Sequence, residues 1–206
     1  MNIIQRVEWK LYKLNKKRKL KNYTPSIISS NCNGEFMYYD MNLKFLSPTL
    51  NLSFDMNDYI ELLSNLKWYM EQDIKPYKDD RFDYPTGMLG DIEIRFNHYK
   101  NFDEAVKKWN ERKKRINWDN LFVIAIDGDN CSYESLQYFD KLPYKNKVIF
   151  THKKYPEIKS SFYVKGFENE NGVGVLINFK KQFFIRRYLD DFDYISFLNG
   201  EGEYNG

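Results

Sequence analysis

Cysteine and histidine are both scarce in this chain: Cys32, Cys131, His98 and His152 are all that 206 residues contain. Two cysteines cannot build the disulfide framework on which small secreted domains depend. With no local pair of Cys or His at ligand spacing, nothing predicts a zinc site. No run approaches the roughly 18 uninterrupted apolar residues that a membrane-spanning helix needs. The first residues show neither an apolar signal-peptide core nor a small-residue cleavage site, so the expectation is a cytoplasmic protein. Internal repeats and low-complexity tracts are also missing. What is present is material for a core: 42 % of residues are apolar and 18 % aromatic. The length suits one sizeable domain rather than two.

The formal net charge of +3 conceals an asymmetry. Residues 1–22 hold eight Lys and Arg against one acid, Glu8, a balance of +7 that leaves the rest of the chain at −4. The expected organisation is therefore a basic amphipathic leader over residues 1–23 and a single α/β domain over 24–206. Three readings of the leader stand side by side. It is a solvated helix packing a few apolar residues on its own domain, a segment lying on an anionic membrane surface, or a phosphate-contacting arm. No RNA- or DNA-binding motif elsewhere supports the last, so nucleic acid is not expected as a partner.

Beyond Thr24-Pro25, Ser26 to Ser30 reads as a short buried strand that ends in the turn Asn31-Cys32-Asn33-Gly34, with a helix opening at Glu35. Asp55 caps a predicted helix through Met70, with Tyr59, Leu62, Leu63 and Leu66 at helical spacing. The glycine-punctuated stretch from Tyr84 to Asp91 leads into Ile92–Phe96, which alternates as a strand with one wet face does. Asn101 and Glu104 have the form of a capping box for the next helix. Leu121 to Ile126 is apolar throughout, as a strand covered on both faces should be. Ser132 caps a helix to about Asp140, strands follow at Lys147–Phe150 and Ser161–Val164, and a short helix is predicted near Val173–Phe179. The alternation predicts a three-layer α/β fold, Rossmann-like, with a largely parallel or mixed sheet and helices on both faces.

In such sheets ligands bind beyond the carboxyl ends of the strands. Three predicted strands end there in polar residues: Asn31-Cys32-Asn33-Gly34, Asp127-Gly128-Asp129, and Thr151-His152-Lys153. Asp127 and Asp129 are two carboxylates on a glycine-loosened turn, able to share Mg2+ or Mn2+. The same Asp-Gly-Asp is also ordinary turn chemistry. His98 and His152 are candidate general bases, and each can equally be a hydrogen-bonded structural residue. Cys32 lies where a helix N-terminus lowers a thiol pKa, which makes a Cys-His nucleophile conceivable, while a small half-buried residue is the plainer account. Gly87-x-x-Gly90-Asp91 lacks the spacing of a phosphate-binding fingerprint, though Asp91 is an acidic candidate.

Several segments together resemble the family called domain of unknown function 1919. They are Ser29-Ser30-Asn31-Cys32-Asn33-Gly34, Tyr84-Pro85-x-Gly87-x-Leu89-Gly90-Asp91-Ile92-Glu93-Ile94, Phe96-x-His98-Tyr99, Lys108-Trp109-x-x-Arg112-x-x-Arg115-Ile116-Asn117-Trp118, Phe150-Thr151-His152-Lys153 and Lys165-Gly166-Phe167-Glu168. The resemblance covers about residues 24–199 and leaves the leader outside. It implies a role in exopolysaccharide or capsule biosynthesis and assigns no residue roles. On that setting the expectation is a glycosyltransferase-like enzyme using a sugar-phosphate donor or polysaccharide precursor. Asp127 and Asp129 would hold a cation, Asn31, Cys32, Gly34 and Lys153 would bind the donor, and Asp91, His98 or His152 would serve as base. The alternatives are an O-acyl or acetyltransferase acting on the same polymer and a non-catalytic assembly factor at the membrane surface.

Overall fold

Leu121–Ile126 forms the strand β5, and apolar side chains on both its faces find separate cores. The computed structural model describes residues 3–128, 130–180 and 185–201. Its elements, in chain order, are α1 (Ile3–Lys19), β1 (Ser26–Ser29), α2 (Asn33–Met41), α3 (Met56–Ser64), α4 (Leu66–Glu71), β2 (Ile74–Tyr77), β3 (Thr86–Leu89), β4 (Ile92–Arg95), α5 (Phe102–Lys113), β5, α6 (Tyr133–Lys141), β6 (Asn146–Thr151), β7 (Ser161–Tyr163), a 3-10 turn (Tyr188–Asp191) and α7 (Tyr194–Leu198).

The main sheet is wholly parallel in the order β1-β5-β6-β7, and β2-β3-β4 form a separate antiparallel sheet. Strand alternation sorts the side chains into two cores. Ile28, Val123, Ala125 and Ile149 face α3, α5, α6 and the small sheet. Ile27, Phe122, Ile124, Val148 and Phe150 face α2 and α7. Helices thus cover both faces, which is the expected three-layer α/β arrangement. The hydroxyl of Tyr59 on α3 reaches the carbonyls of Ile28 (2.9 Å) and Ile124 (3.1 Å), tying β1 to β5 from one face.

Three predicted caps are in place: Asp55 accepts from Asn57 N, Asn101 from Glu104 N, and Ser132 from Ser135 N. Other expectations differ from the structure. The helix predicted from Asp55 to Met70 is broken at Asn65 into α3 and α4. The glycine-punctuated stretch before Ile92 supplies a strand, β3, because Gly90 at φ 64° closes a tight hairpin with β4. No helix forms over 173–179, whereas α7 packs Tyr194, Ile195, Phe197 and Leu198 into the second core.

The leader forms a helix, and that helix is docked. Lys16 Nζ donates to Asp190 Oδ1 at 3.0 Å, the Arg186 guanidinium lies 3.9 Å over the Tyr12 ring, and Trp9 meets Phe179 edge-on at 5.4 Å. Arg187 is buried between Asp40 on α2 and Asp190, so one ion network holds α1, α2 and the 3-10 turn together.

Candidate functional site

The strand order β1-β5-β6-β7 never reverses, so topology alone marks no crevice in this sheet. Side chains mark the candidate site, where β5 and β6 end. Asp127 is the first residue beyond β5 and is buried. Its Oδ2 accepts the backbone N–H of His152 at 2.7 Å and lies 2.5 Å from His152 Nδ1. Its Oδ1 accepts the backbone N–H of Val173 at 2.7 Å. One carboxylate therefore ties the ends of β5 and β6 to the 171–173 loop. A carboxylate oxygen against Nδ1 assigns a proton to that nitrogen, so in the neutral ring Nε2 presents its lone pair.

The loop can approach so closely because residue 172 is glycine. A Cβ there would sit 2.8 Å from Gly128 Cα and 3.0 Å from the Asp127 carbonyl oxygen. Beside the dyad opens a cavity of about 470 Å³ lined by Ile126, Asp127, Gly128, Asn130, Cys131 and residues 171–173. Asn130, in the left-handed region at φ 64°, donates its amide to Asp55 Oδ2 at 2.7 Å and so joins this rim to the cap of α3. The Cys131 thiol is pushed up to about 12 by burial and then by the charges of Asp127 and Asp55. Burial, followed by the Asp127 charge, also raises the Tyr155 phenol. Lys153 and Lys154 are exposed and directly follow His152.

The sequence candidates divide on this geometry. Asp127 and His152 come together. Asp129 lies outside the described residues. Asp127 meets three N–H donors, the surroundings of an orienting carboxylate rather than of a cation ligand. Among the described residues no three His, Cys, Asp or Glu side chains converge on a metal-sized space. The Mg2+ or Mn2+ expectation pairs Asp127 with Asp129, which lies outside the described residues, and Asp127 itself is engaged by His152 and Val173. Asp91 is not near the carboxyl edge: it occupies the β3–β4 hairpin turn and accepts from the Tyr69 hydroxyl at 2.6 Å.

Gly34 is where α2 crosses β1, and a Cβ there would meet Ile27 and Ser29 side-chain atoms at 2.9 Å. Its identity is explained by that approach. Asn31 turns its side-chain oxygen back to the Asn33 N–H at 3.1 Å, forming the turn into α2. At Cys32 burial, then the Glu35 charge, push the thiol up to about 11, the direction expected of a small half-buried residue.

His98 belongs to a different group of residues at the end of β1. Its backbone N–H contacts Asn51 O at 3.4 Å, and Asn51 in turn meets Glu35. Glu35 is buried in the first turn of α2, and burial raises its carboxyl pKa. The Asn51 amide, oriented to donate, reaches both Glu35 oxygens at 3.2 and 2.6 Å. Arg112 offsets part of the burial effect and also donates to the Tyr99 hydroxyl at 2.8 Å. Nothing in the sequence brings Glu35, Asn51 and Arg112 together, since 61 positions separate Asn51 from Arg112 and only the fold adjoins them. The same holds for Val173, whose contribution is a backbone N–H that any residue but proline would supply.

A family described as a domain of unknown function (DUF1919) matches residues 3–199. The chain belongs to that family. The matched span takes in α1, which the residue-level resemblance leaves outside. An uncharacterized protein of Haemophilus influenzae is 42 % identical over 182 residues, covering 88 % of this chain and 87 % of its own length. The span of this chain that the family matches takes in α1, both sheets, Asp127 and His152.

Proposed function

We propose that this protein is a transferase of cell-surface polysaccharide assembly in which His152, oriented by Asp127, deprotonates an acceptor hydroxyl. The observation that carries the reading is the buried carboxylate on His152 Nδ1, backed by two main-chain N–H donors. A base so held keeps one tautomer and one ring orientation without spending entropy in the reaction. The polysaccharide setting rests on the family resemblance.

In the glycosyl reading, the acceptor oxygen attacks the anomeric carbon of a sugar-phosphate donor as its proton passes to His152 Nε2. The bond from that carbon to the phosphate oxygen breaks, and the phosphate leaves with the electron pair. Lys153 and Lys154, exposed and next to His152 in the chain, supply the charge that an anionic donor needs. A second reading, acyl transfer to the same hydroxyl, is favoured by the dyad's being a purely acid–base unit. There the oxygen attacks a thioester carbonyl and the thiolate leaves, taking up the proton.

The test is the surface polysaccharide of cells carrying His152→Gln, compared with wild type and with a deletion. The variant, at wild-type abundance, is expected to reproduce the deletion. Missing or shortened glycan supports the glycosyl reading, and intact glycan without ester groups supports the acyl one. Full wild-type polymer from His152→Gln would sink both and leave a non-catalytic assembly role.

A further inference from the structure

Of the exposed aliphatic side chains among the described residues, all but Val175 lie on α1. Ile3, Ile4, Val7, Leu11 and Leu14 are 80, 79, 54, 61 and 44 % exposed, whereas the docked face of the same helix turns Trp9, Tyr12 and Lys16 to the body. Positions 4, 7, 11 and 14 follow the three-four spacing that places side chains in one line along a helix. Exposed Arg6, Lys10, Lys17, Arg18 and Lys19 flank that line. The single acid of the helix, Glu8, is only half-buried but points to the body, where it pairs with Arg186 at 3.4 Å. The outward face thus joins an apolar stripe to cations, with no acid on it.

We infer that α1 is a membrane-surface docking helix that lies in the plane of an anionic lipid bilayer. Its stripe enters the headgroup boundary while the flanking Lys and Arg meet lipid phosphates. Seventeen residues at about 1.5 Å each give a helix of about 25 Å, and no described helix is long and apolar enough to cross a membrane. Charge complementarity selects lipid over a second copy of the chain. Two such faces would set cation against cation with no acid to answer them, whereas an anionic bilayer answers every one. The helix is also docked: the Asp190 side chain is fully buried beneath Lys16, so the stripe is presented outward without ordering a free peptide. This inference stands apart from the catalytic reading, since none of its residues lies at Asp127 or His152.

Flotation of the full chain with vesicles of phosphatidylcholine alone, or mixed with phosphatidylglycerol, tests it. Wild type is expected to float with the anionic vesicles, weakly with the neutral ones, and to be released by salt. Lys10→Gln with Lys17→Gln should lower partitioning about fivefold per charge removed. Val7→Ser with Leu11→Ser should abolish flotation while unfolding curves stay at wild type, as the replaced side chains are exposed. Equal flotation with both vesicles, or flotation that survives Val7→Ser/Leu11→Ser, overturns the inference. So does a dimer in sedimentation velocity that the same pair of substitutions dissolves, because the stripe would then belong to a second copy.

Discussion

At Asp127 one side chain satisfies two main-chain donors and one ring nitrogen, drawn from positions 25 and 46 residues away. Replacing it is therefore a structural as well as a chemical change. Asp127→Ala leaves the N–H groups of His152 and Val173 buried without acceptors, at about 1–3 kcal/mol each. Urea unfolding should show a loss of at least about 2 kcal/mol, and His152→Gln, which keeps those bonds, should show much less. The thiols give a second residue-level test. Cys32 and Cys131 are pushed up to about 11 and about 12, chiefly by burial. At pH 8 iodoacetamide should modify both at least tenfold more slowly in the native chain than in guanidinium chloride. A raised thiol pKa favours the folded state while the thiol is protonated. That contribution is complete below the unfolded value of about 8.5 and fades as pH climbs through the folded values. Fast labelling of Cys32 at pH 8 would restore it as a nucleophile.

Among the elements, those whose pattern is set by their own sequence were legible. Leu121–Ile126 had to be covered on both faces, Ile92–Arg95 on one, and the Asp55, Asn101 and Ser132 caps satisfy free N–H groups within a few residues. Elements that depend on distant partners were not. β2 carries Pro76 and three exposed residues in four, and it exists because its register with β3 places it at an edge where proline is tolerated. The 171–173 loop has no local pattern at all, only a glycine where Gly128 allows no Cβ. Gly172→Ala should push this loop off β5 and lengthen the Val173–Asp127 bond. The expected cost is about 1–3 kcal/mol in chemical denaturation, with activity lost in parallel. A neutral Gly172→Ala would show that the loop yields freely and does not hold the dyad.

Over the whole molecule, the basic leader and the acidic body prove to be one unit. Burial alone would raise the Asp190 carboxyl, but Arg187 and Lys16 outweigh it and hold it below the usual carboxylate range. A depressed carboxyl stabilises the fold above its unfolded value, near pH 3.9, and that contribution is lost as pH falls through the folded value. Asp190→Ala strips Lys16 of its buried partner and leaves Arg187 with Asp40 alone, and should cost about 3 kcal/mol at pH 7. The difference from wild type should shrink on acidification below pH 4. A mild effect at pH 7 would mean that α1 docks through its aromatics alone.

By itself the sequence determined the α/β alternation, the central strand, most caps, the charge imbalance of the leader and three polar strand ends, because periodicity and capping act over a few residues. Only the tertiary structure decided which polar residues meet. It joined Asp127 to His152 and Val173, moved Asp91 to a remote hairpin, put His98 beside Glu35, and turned the apolar stripe of α1 outward. The reason is physical: a buried carboxylate takes whichever donors the fold brings within 3 Å, and separation along the chain says nothing about that distance.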